Sequence, residues 1–523
     1  MMMLSKVTQY LHIMPLELWL ACWSLCSLQQ LRRISLVCKF FRSLVIPHLF
    51  EEQTLDVAAL AQGLDRDNWM DRVRHLHRTA VRLDKLQGSF APLVHTWKAT
   101  FHHGMTLSRY HSDIENIHLF DTLSGRVVAT FFATLRHYRN LSSLHFGFAT
   151  IDLGVREALR CLPALKELHL CNCGIAAAEA LLRIDALKMI DCFPIASDSI
   201  QLASPEILRT LDVTPDVSPA ISGFGSDTLS TLVELSLGDV ADAQQLFQFL
   251  AQCPQLQLLA IGFLELPLPP VPPSIIPHLR DLTAPPEVVR VLAPHRPIHS
   301  VTISDRRLRK ADIMPLCMAI SRATVPLQSL NLPHAEPSLE ILADISSLFS
   351  ELKQLSLKLP GDPICCGIFD YESPGSPITV DRRTLELNDD EAFTRILPSD
   401  DISDAEEDAP PPIKVAERTE KFSQRLSRFG PKISVRILLG WLQDGLLFLP
   451  PTIESFLVEE VDLYLPSEDQ HQPIALLARL YPHLRRLRFD GLESGWIRTG
   501  DLWAREVRGR REVVKIVAPV LNV

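Results

Sequence analysis

Residues 11–50 place apolar side chains at helical spacing between charged ones. The first apolar series consists of Leu18, Cys22, Leu25 and Cys26. The second consists of Leu28, Leu31, Ile34, Val37, Cys38 and Phe41. Their spacing predicts two helices that face the same way, the first opened by Pro15 and the second ended by Pro47. A segment this short buries little apolar surface alone, so the pattern favours a module that completes its core against a partner.

A second pattern, L-x-x-L-x-L with Ile, Val or Phe allowed, recurs through the middle of the chain. Its units are expected to start at Ile114, Leu141, Leu165, Leu187, Leu208, Leu232, Leu256, Leu279, Ile298, Leu327 and Leu352. Their mean spacing of about 24 residues lies in the range of leucine-rich repeats. In the clearest unit, Leu165 to Leu170, Cys173 follows at the position that bonds the turning backbone. Because each strand buries its leucines against the next unit, we expect a stacked solenoid.

The residues between the leucines are expected to face solvent on the concave side of this solenoid. In the clear units they are Lys166, Glu167, His169, Val233, Glu234, Ser236, Gln328, Ser329, Asn331, Lys353, Gln354 and Ser356. The candidate contacts to a bound target are Lys166, His169, Lys353, Arg486 and Arg488. The two arginines lie two residues apart on a predicted strand, so they share a face and suit a carboxylate or phosphate. The alternative is a solvated strand end.

The repeat pattern stops after Leu359. Residues 361–431 contain an acidic run at 389–408 and a basic stretch from Lys414. This composition buries too little apolar surface to offset the entropy of ordering, which predicts a disordered insertion. Weak strand candidates follow at 453–456 and 461–463, then a clear one from Leu484, and residues 500–517 are a candidate closing cap.

Two motifs in the N-terminal stretch resemble the F-box. Met14-Pro15-Leu16-Glu17-Leu18 stands where that family has its opening L-P-x-E-L/I run. Leu31 and the run Ser35 to Leu44 match its L-x-x-x-S/A-L-V-C-R/K-x-F/W-R-x-L run, although Cys22 and Cys26 stand where the family favours Ile and Leu. The resemblance implies that a Skp-type adaptor binds here and links the chain to a cullin–RING ubiquitin ligase. The implied adaptor-binding residues are Pro15, Leu16, Leu18, Leu31, Leu36, Val37 and Phe40.

These patterns together predict an α/β protein in which a helical F-box precedes an irregular leucine-rich-repeat horseshoe. The expected parts are an F-box at 11–52, a helical or mixed linker at 53–110, repeats at 111–360, a disordered acidic and basic insertion at 361–431, and C-terminal repeats with a cap at 432–523. Within the linker, Val81-Arg-Leu83 is a candidate early strand. Such irregular horseshoes resemble the receptors that follow F-boxes in many fungal proteins.

Composition narrows the function classes. The net charge of -10 over 523 residues argues against a general nucleic-acid binder. Eleven cysteines without framework spacing fit a reducing compartment, so we expect the cytoplasm or nucleus. A signal peptide or membrane anchor over residues 11–28 is the competing interpretation. Glu17 and Pro15 interrupt that segment, and a spanning helix needs ~20 mostly apolar residues, so no membrane association is predicted.

Motifs for catalysis or metal binding are scarce. There is no P-loop, nucleophile elbow or zinc-protease motif, and Gly223-Phe-Gly225 is expected to be an ordinary loop. His75 and His77 could share a strand face as ligands but lack partners, and Cys171 and Cys173 suit packing better than metal. We therefore expect no cofactor and no enzyme activity. The predicted function is a substrate receptor of an F-box ubiquitin ligase, and the alternative is a leucine-rich scaffold without a ligase role.

Overall fold

The chain folds as a mixed α/β protein with one large, mostly parallel sheet in a computed structural model. The residues described are 15–57, 69–85, 90–101, 114–177, 181–195, 199–225, 227–264, 268, 271–304, 310–333, 339–359, 449–460, 467–488, 494–500, 502–507 and 510–512. The predicted insertion at 361–431 and the strand candidate at 461–463 lie outside these residues. Among the helices described, none is long and apolar enough to cross a membrane.

Three short helices at the N-terminus form a module with its own core. They are α1 (Leu16–Ser24), α2 (Leu28–Ser35) and α3 (Lys39–Glu51). Trp23, Leu31 and Val45 are buried between them, and Phe41 packs its ring edge-on against Trp23 at 5.3 Å. Trp19 completes a three-ring cluster with Trp23 and Phe41. Such an aromatic cluster supplies much apolar area for a small module.

The helix boundaries in this module differ from those predicted. The second apolar series is divided between α2 and α3, because the Cys38 thiol accepts the Phe41 N–H and starts a new helix at Lys39. Pro47 lies inside α3 instead of ending it. The helix continues because Leu49, two residues further on, packs against the module core, and this packing offsets the loss of the hydrogen bond that proline cannot make.

The strands of the large sheet follow one another in parallel. They are β1 (Glu52–Asp56), β2 (Thr96–Thr100), β3 (Ser143–Gly147), β5 (Glu167–Cys171), β7 (Ala186–Ile190), β9 (Thr210–Asp216), β10 (Glu234–Val240), β11 (Leu258–Leu264), β12 (Asp281–Ala284), β13 (Ser300–Ile303), β14 (Ser329–Pro333), β15 (Gln354–Leu359), β16 (Ser455–Glu460) and β17 (Arg486–Arg488). A small parallel sheet comprises β4 (Thr150–Ile151), β6 (Gly174–Ala176) and β8 (Phe193–Ile195). The end of the large sheet is antiparallel, with β18 (Ser494–Thr499), β19 (Leu502–Val507) and β20 (Arg510–Glu512).

Helices lie between many of these strands along the chain. They are α4 (Trp69–Lys85), α5 (Ile114–Leu135), α6 (Leu153–Arg160), α7 (Ser218–Phe224), α8 (Ala243–Ala251), α9 (Pro286–Leu292), α10 (Lys310–Ile320), α11 (Leu339–Leu348) and α12 (Ser467–Leu480). Strand-then-helix order with parallel pairing requires such crossovers. Strands β15 and β16 pair directly, with six residues in register, although residues 360–454 separate them along the chain.

The second leucine of the repeat pattern forms a continuous buried row across the sheet. Its members are Trp97, Leu144, Leu168, Leu187, Leu211, Leu235, Leu259, Leu282, Val301, Leu330, Leu355, Phe456 and Leu487. Every one is at most 2 % exposed. Since side chains alternate along a strand, the residues that flank each member lie on the opposite, outward face.

Three sequence predictions about strands are wrong. Residues from Ile114 form α5, because the apolar spacing there continues at helical period for 22 residues. Val81 and Leu83 lie in α4. The unit predicted to start at Leu187 starts three residues earlier, at Ile184. Both registers match the first two apolar positions of the pattern, and pairing of Leu187 with its two neighbours in the buried row decides between them.

The described residues of the predicted helical or mixed linker at 53–110 include helix α4 and strands of the large sheet. They contribute most of β1 and all of β2, which pairs with β3. Helix α3 ends at Glu51 and β1 begins at the next residue. The N-terminal module is therefore joined to the sheet without an intervening loop.

Candidate docking surfaces

The N-terminal module exposes an unusual amount of apolar surface on its outside. Exposed fractions are 52 % for Leu18, 89 % for Leu25, 54 % for Leu28, 83 % for Leu36, 65 % for Val37 and 42 % for Phe40. The same three helices bury a separate core, so this exposure is not a failure to fold. A cluster of large apolar side chains on the surface of a small module is typical of a protein-interaction site.

Turns between the helices hold most of these side chains outward. The Ser27 hydroxyl and the Gln30 side chain form a reciprocal capping box that fixes the start of α2 between Leu25 and Leu28. The N–H groups of Leu36 and Val37 donate to Arg33 and Ile34, which closes the last turn of α2. Both side chains then project from the corner between α2 and α3.

The structure places most of the implied adaptor residues on this surface. Leu18, Leu36, Val37 and Phe40 are exposed, and exposed Pro15 stands at the N-cap of α1. Leu31 is only 4 % exposed and lies in the core, so it can support the surface only from within. The side chain of Leu16 is outside the described part. We name Leu18, Leu25, Leu28, Leu36, Val37 and Phe40 the apolar surface.

Sequence reasoning missed Leu25 and Leu28 as surface residues. Both were assigned to helical series that face the core. The Ser27-x-x-Gln30 capping box was the available signal, because it predicts a helix start and therefore a corner between them.

The module is held against the first strands of the sheet. The Phe50 ring stacks on Phe90 at 4.3 Å, and the Glu51 carbonyl accepts the His95 N–H at 2.9 Å. Lys98 forms an ion pair with Glu52 at 2.6 Å. These contacts fix the orientation of α3 relative to β1 and β2.

The predicted target contacts all avoid the core but do not form one cluster. His169 is on β5, and Lys166 and Lys353 immediately precede β5 and β15. Arg486 and Arg488 are on β17. Seven strands separate β5 from β15 in the sheet. With ~4.8 Å between neighbouring strands, Lys166 and Lys353 are roughly 40 Å apart along the sheet.

The outward face carries a stacked pair of histidines, of which the sequence singled out only His169. The rings of His145 and His169 lie 4.1 Å apart at an interplanar angle of 15°, because the two residues are register partners on β3 and β5. Lys98 and Lys188 are the next register partners on either side. Lys188 forms an ion pair with Asp212 at 2.6 Å. His145 was missed because only the clearest repeat units were used to assign outward positions.

Burial is the main influence on both imidazoles. It lowers the pKa of His145 from the usual 6.5, and His169 and Lys98 lower it further, against Glu167 and Glu52. Burial also lowers the pKa of His169, with Lys188 in the same direction and Glu167 and Asp212 opposing. Both rings are therefore neutral at neutral pH.

Acidification is expected to remove stability that these neutral rings provide. Since their folded pKa values lie below 6.5, the unfolded chain takes up protons first, and the contribution is complete above pH 6.5 and lost as the pH falls below it. We expect the urea midpoint of the wild type to fall more between about pH 7.5 and 5.5 than that of a His145→Gln/His169→Gln variant. Equal falls in the two proteins would contradict this assignment.

The His75/His77 pair and the Gly223–Gly225 motif lie on or at the end of helices, not on the strand and loop considered from the sequence. His75 and His77 are on helix α4, not a strand, so residues two apart point in different directions. Gly223 lies inside α7, and Gly225 ends that helix with φ of 57°, so the pair is not an ordinary loop. Within the described ranges no three His, Cys, Asp or Glu side chains are placed to hold a metal ion.

The turn after β5 is built as predicted around a buried cysteine. The Cys173 thiol donates to the Cys171 carbonyl at 3.4 Å and approaches the Phe146 carbonyl at 3.7 Å. Asn172, between the two cysteines, has φ of 53°, a left-handed conformation that asparagine tolerates better than most residues. Cys173 thus serves the turn by packing and hydrogen bonding.

Comparison with protein-family models and with curated proteins gives no match for this chain.

Proposed function

We propose that the chain is a non-catalytic substrate receptor of a cullin–RING ubiquitin ligase. The apolar surface of the N-terminal module would bind a Skp-type adaptor, and the outward face of the sheet would hold a target protein. On this proposal the parallel strands are leucine-rich repeats of a solenoid. The chain itself would supply proximity and orientation, and its partners the transfer of ubiquitin.

The observation that carries the proposal is the apolar surface itself. The positions that the F-box resemblance assigns to adaptor contact include Leu36, Val37 and Phe40, and these side chains are exposed on a module with a complete core of its own. An isolated helical module gains nothing from exposing them to water. A partner that covers them recovers the apolar transfer free energy.

A second candidate is a leucine-rich scaffold whose module does not bind adaptor. Cys22 on α1 is exposed, and Cys26 in the turn after α1 is half-buried; at both positions the family favours the larger Ile and Leu. Smaller side chains offer less apolar area to an adaptor, which favours this alternative.

Adaptor binding by the full chain separates the two candidates. We expect purified Skp-type adaptor to bind the wild type, and a Leu36→Ala/Val37→Ala variant to bind roughly thirtyfold more weakly, since each truncation removes about 1 kcal/mol of apolar burial. The measurement is calorimetry or a quantitative pull-down, with the far-UV circular dichroism spectrum as a check on folding.

The matched control is a Met318→Ala/Leu480→Ala variant. These two side chains are 45 % and 47 % exposed but lie on α10 and α12, far along the chain from the module. The control should bind adaptor as the wild type does. No binding by the wild type would reject the receptor proposal in favour of the scaffold. Undiminished binding by the Leu36/Val37 variant would reject the apolar surface as the adaptor site, and with it the observation that carries the proposal.

A further inference from the structure

Four nitrogen-bearing side chains form a row across neighbouring strands on the outward face. Lys98, His145, His169 and Lys188 occupy one register position on β2, β3, β5 and β7. Successive members are therefore about 4.8 Å apart, the spacing of paired strands. We name them the basic row. Nothing in the F-box resemblance assigns a role to this part of the face.

We propose that the basic row is a contact for an acidic segment of the bound protein, and that acid strengthens this contact. The inference rests on the proposed function only in taking the outward face as the target-binding face. Its chemical basis is the balance of charges around the two imidazoles.

The charges that face the histidines nearly cancel at neutral pH. From β1 and β2 come Glu52 and Lys98, which form one ion pair; from β7 and β9 come Lys188 and Asp212, which form another. Glu167, on β5 beside His169, is exposed and acts on both rings. With neutral imidazoles, the two lysines of the row and the three carboxylates around it together carry one excess negative charge, which does not attract an acidic segment.

Protonation of the two imidazoles reverses this balance. Two added positive charges change the local excess from one negative to one positive. Two imidazolium rings stacked at 4.1 Å repel each other, and an anion against both rings relieves that repulsion. Binding of carboxylates and protonation of the pair thus favour each other.

The stack is specific to this place in the sheet. The next members of the same register row beyond Asp212 are Ser236, Ala260, Thr283 and Thr302. These neutral side chains cannot change charge with pH. The proposed contact is therefore confined to β1, β2, β3, β5, β7 and β9.

The test uses the full chain and a fluorescein-labelled octa-aspartate peptide as the probe. Aspartate stays ionised at about pH 5.0, since its usual pKa is about 3.9. Fluorescence anisotropy at low salt should show affinity rising about fivefold or more from about pH 7.5 to 5.0, and the gain should shrink as salt is added. A His145→Gln/His169→Gln variant should lose the rise.

The matched control is His278→Gln, which removes an exposed histidine outside the row and should keep the rise. An undiminished rise in the His145/His169 variant, or a rise lost instead in Arg486→Ala, would overturn the proposal. An octa-aspartate affinity that does not change with pH in the wild type would overturn it as well. Adaptor binding by the His145/His169 variant is expected to be normal, so this proposal and the receptor proposal fail in different experiments.

Discussion

Replacement of Arg296 by Met is expected to destabilise the protein by about 4 kcal/mol, because several backbone carbonyls lose a charged hydrogen-bond donor together. The guanidinium is 1 % exposed. It donates to the carbonyls of Leu292 at 2.7 Å, Pro272 at 3.0 Å and Ile275 at 3.1 Å. Met fills a similar volume but donates nothing, so the Leu292 and Ile275 carbonyls would lose this donor, and the Pro272 carbonyl would keep only the Ile275 N–H at 3.1 Å.

The contacts of Arg296 explain why the effect is large. Pro272 and Ile275 belong to a segment without helix or strand between β11 and β12, whereas Leu292 ends α9. One side chain thus connects an irregular, proline-rich segment to a helix end by hydrogen bonds. Without these hydrogen bonds, the segment must either open to water or bury carbonyls that lack a donor.

Arg290→Met is the matched control for this prediction. Arg290 lies on α9, the helix whose end Arg296 contacts, but it forms an ion pair with Asp312 at 3.0 Å while about a third of its side chain is exposed. Such pairs contribute about 0–1 kcal/mol. Urea unfolding followed by circular dichroism should therefore show a small shift for Arg290→Met and a large one for Arg296→Met. Similar shifts would mean that the carbonyl contacts of Arg296 do not stabilise the fold.

Burial of an arginine is the kind of feature that the sequence could not reveal. Arg296 stands in a polar stretch beside His295 and His299, and Arg156 sits on the short helix α6 among other charges. Both are buried because backbone carbonyls from other parts of the chain lie around each guanidinium. Arg156 donates to the carbonyls of Gln201 and Ala176. Such contacts depend on how segments between different strands pack, and no local sequence pattern indicates this.

The strands of the middle of the sheet were predictable because their pattern carries two constraints. In units such as Leu232 to Leu237, both inward positions are fixed by the triplet, and the residue between them must face outward. Strands β1 and β2 were not recognised, since their inward residues Leu55, Trp97 and Ala99 do not form that triplet. They become strands by pairing in series, β1 with β2 and β2 with β3, which is a tertiary effect.

The candidate docking surface was predictable in part for a related reason. Leu36, Val37 and Phe40 follow from a motif, but motif positions do not say which side chains are buried. Leu31 is in the core and Leu28, three residues earlier on the same helix, is exposed. Only the angle at which the helices meet decides between them. The His145–His169 stack likewise depends on the register of two strands, which the sequence gives only when both units are recognised.

Replacement of Gly223 by Ala is expected to destabilise the protein by about 3 kcal/mol, although alanine favours helices. Gly223 lies in α7, and a Cβ there would stand 2.0 Å from the carbonyl oxygen of Ile200. That contact is with backbone, not with the end of a flexible side chain. Ile200 is also bound to this helix through its N–H to the Pro219 carbonyl at 2.8 Å, so it cannot move away without losing a hydrogen bond.

Gly125→Ala provides the control with the opposite sign. Gly125 is exposed in the middle of α5, and a Cβ there would meet no atom within 4 Å. The same substitution should therefore stabilise the protein by up to about 1 kcal/mol through helix propensity and lower entropy of the unfolded chain. Thermal and urea unfolding of the two variants, measured side by side, should shift in opposite directions. A Gly223→Ala protein as stable as the wild type would mean that α7 and the segment at Ile200 do not approach each other as closely as this fold requires.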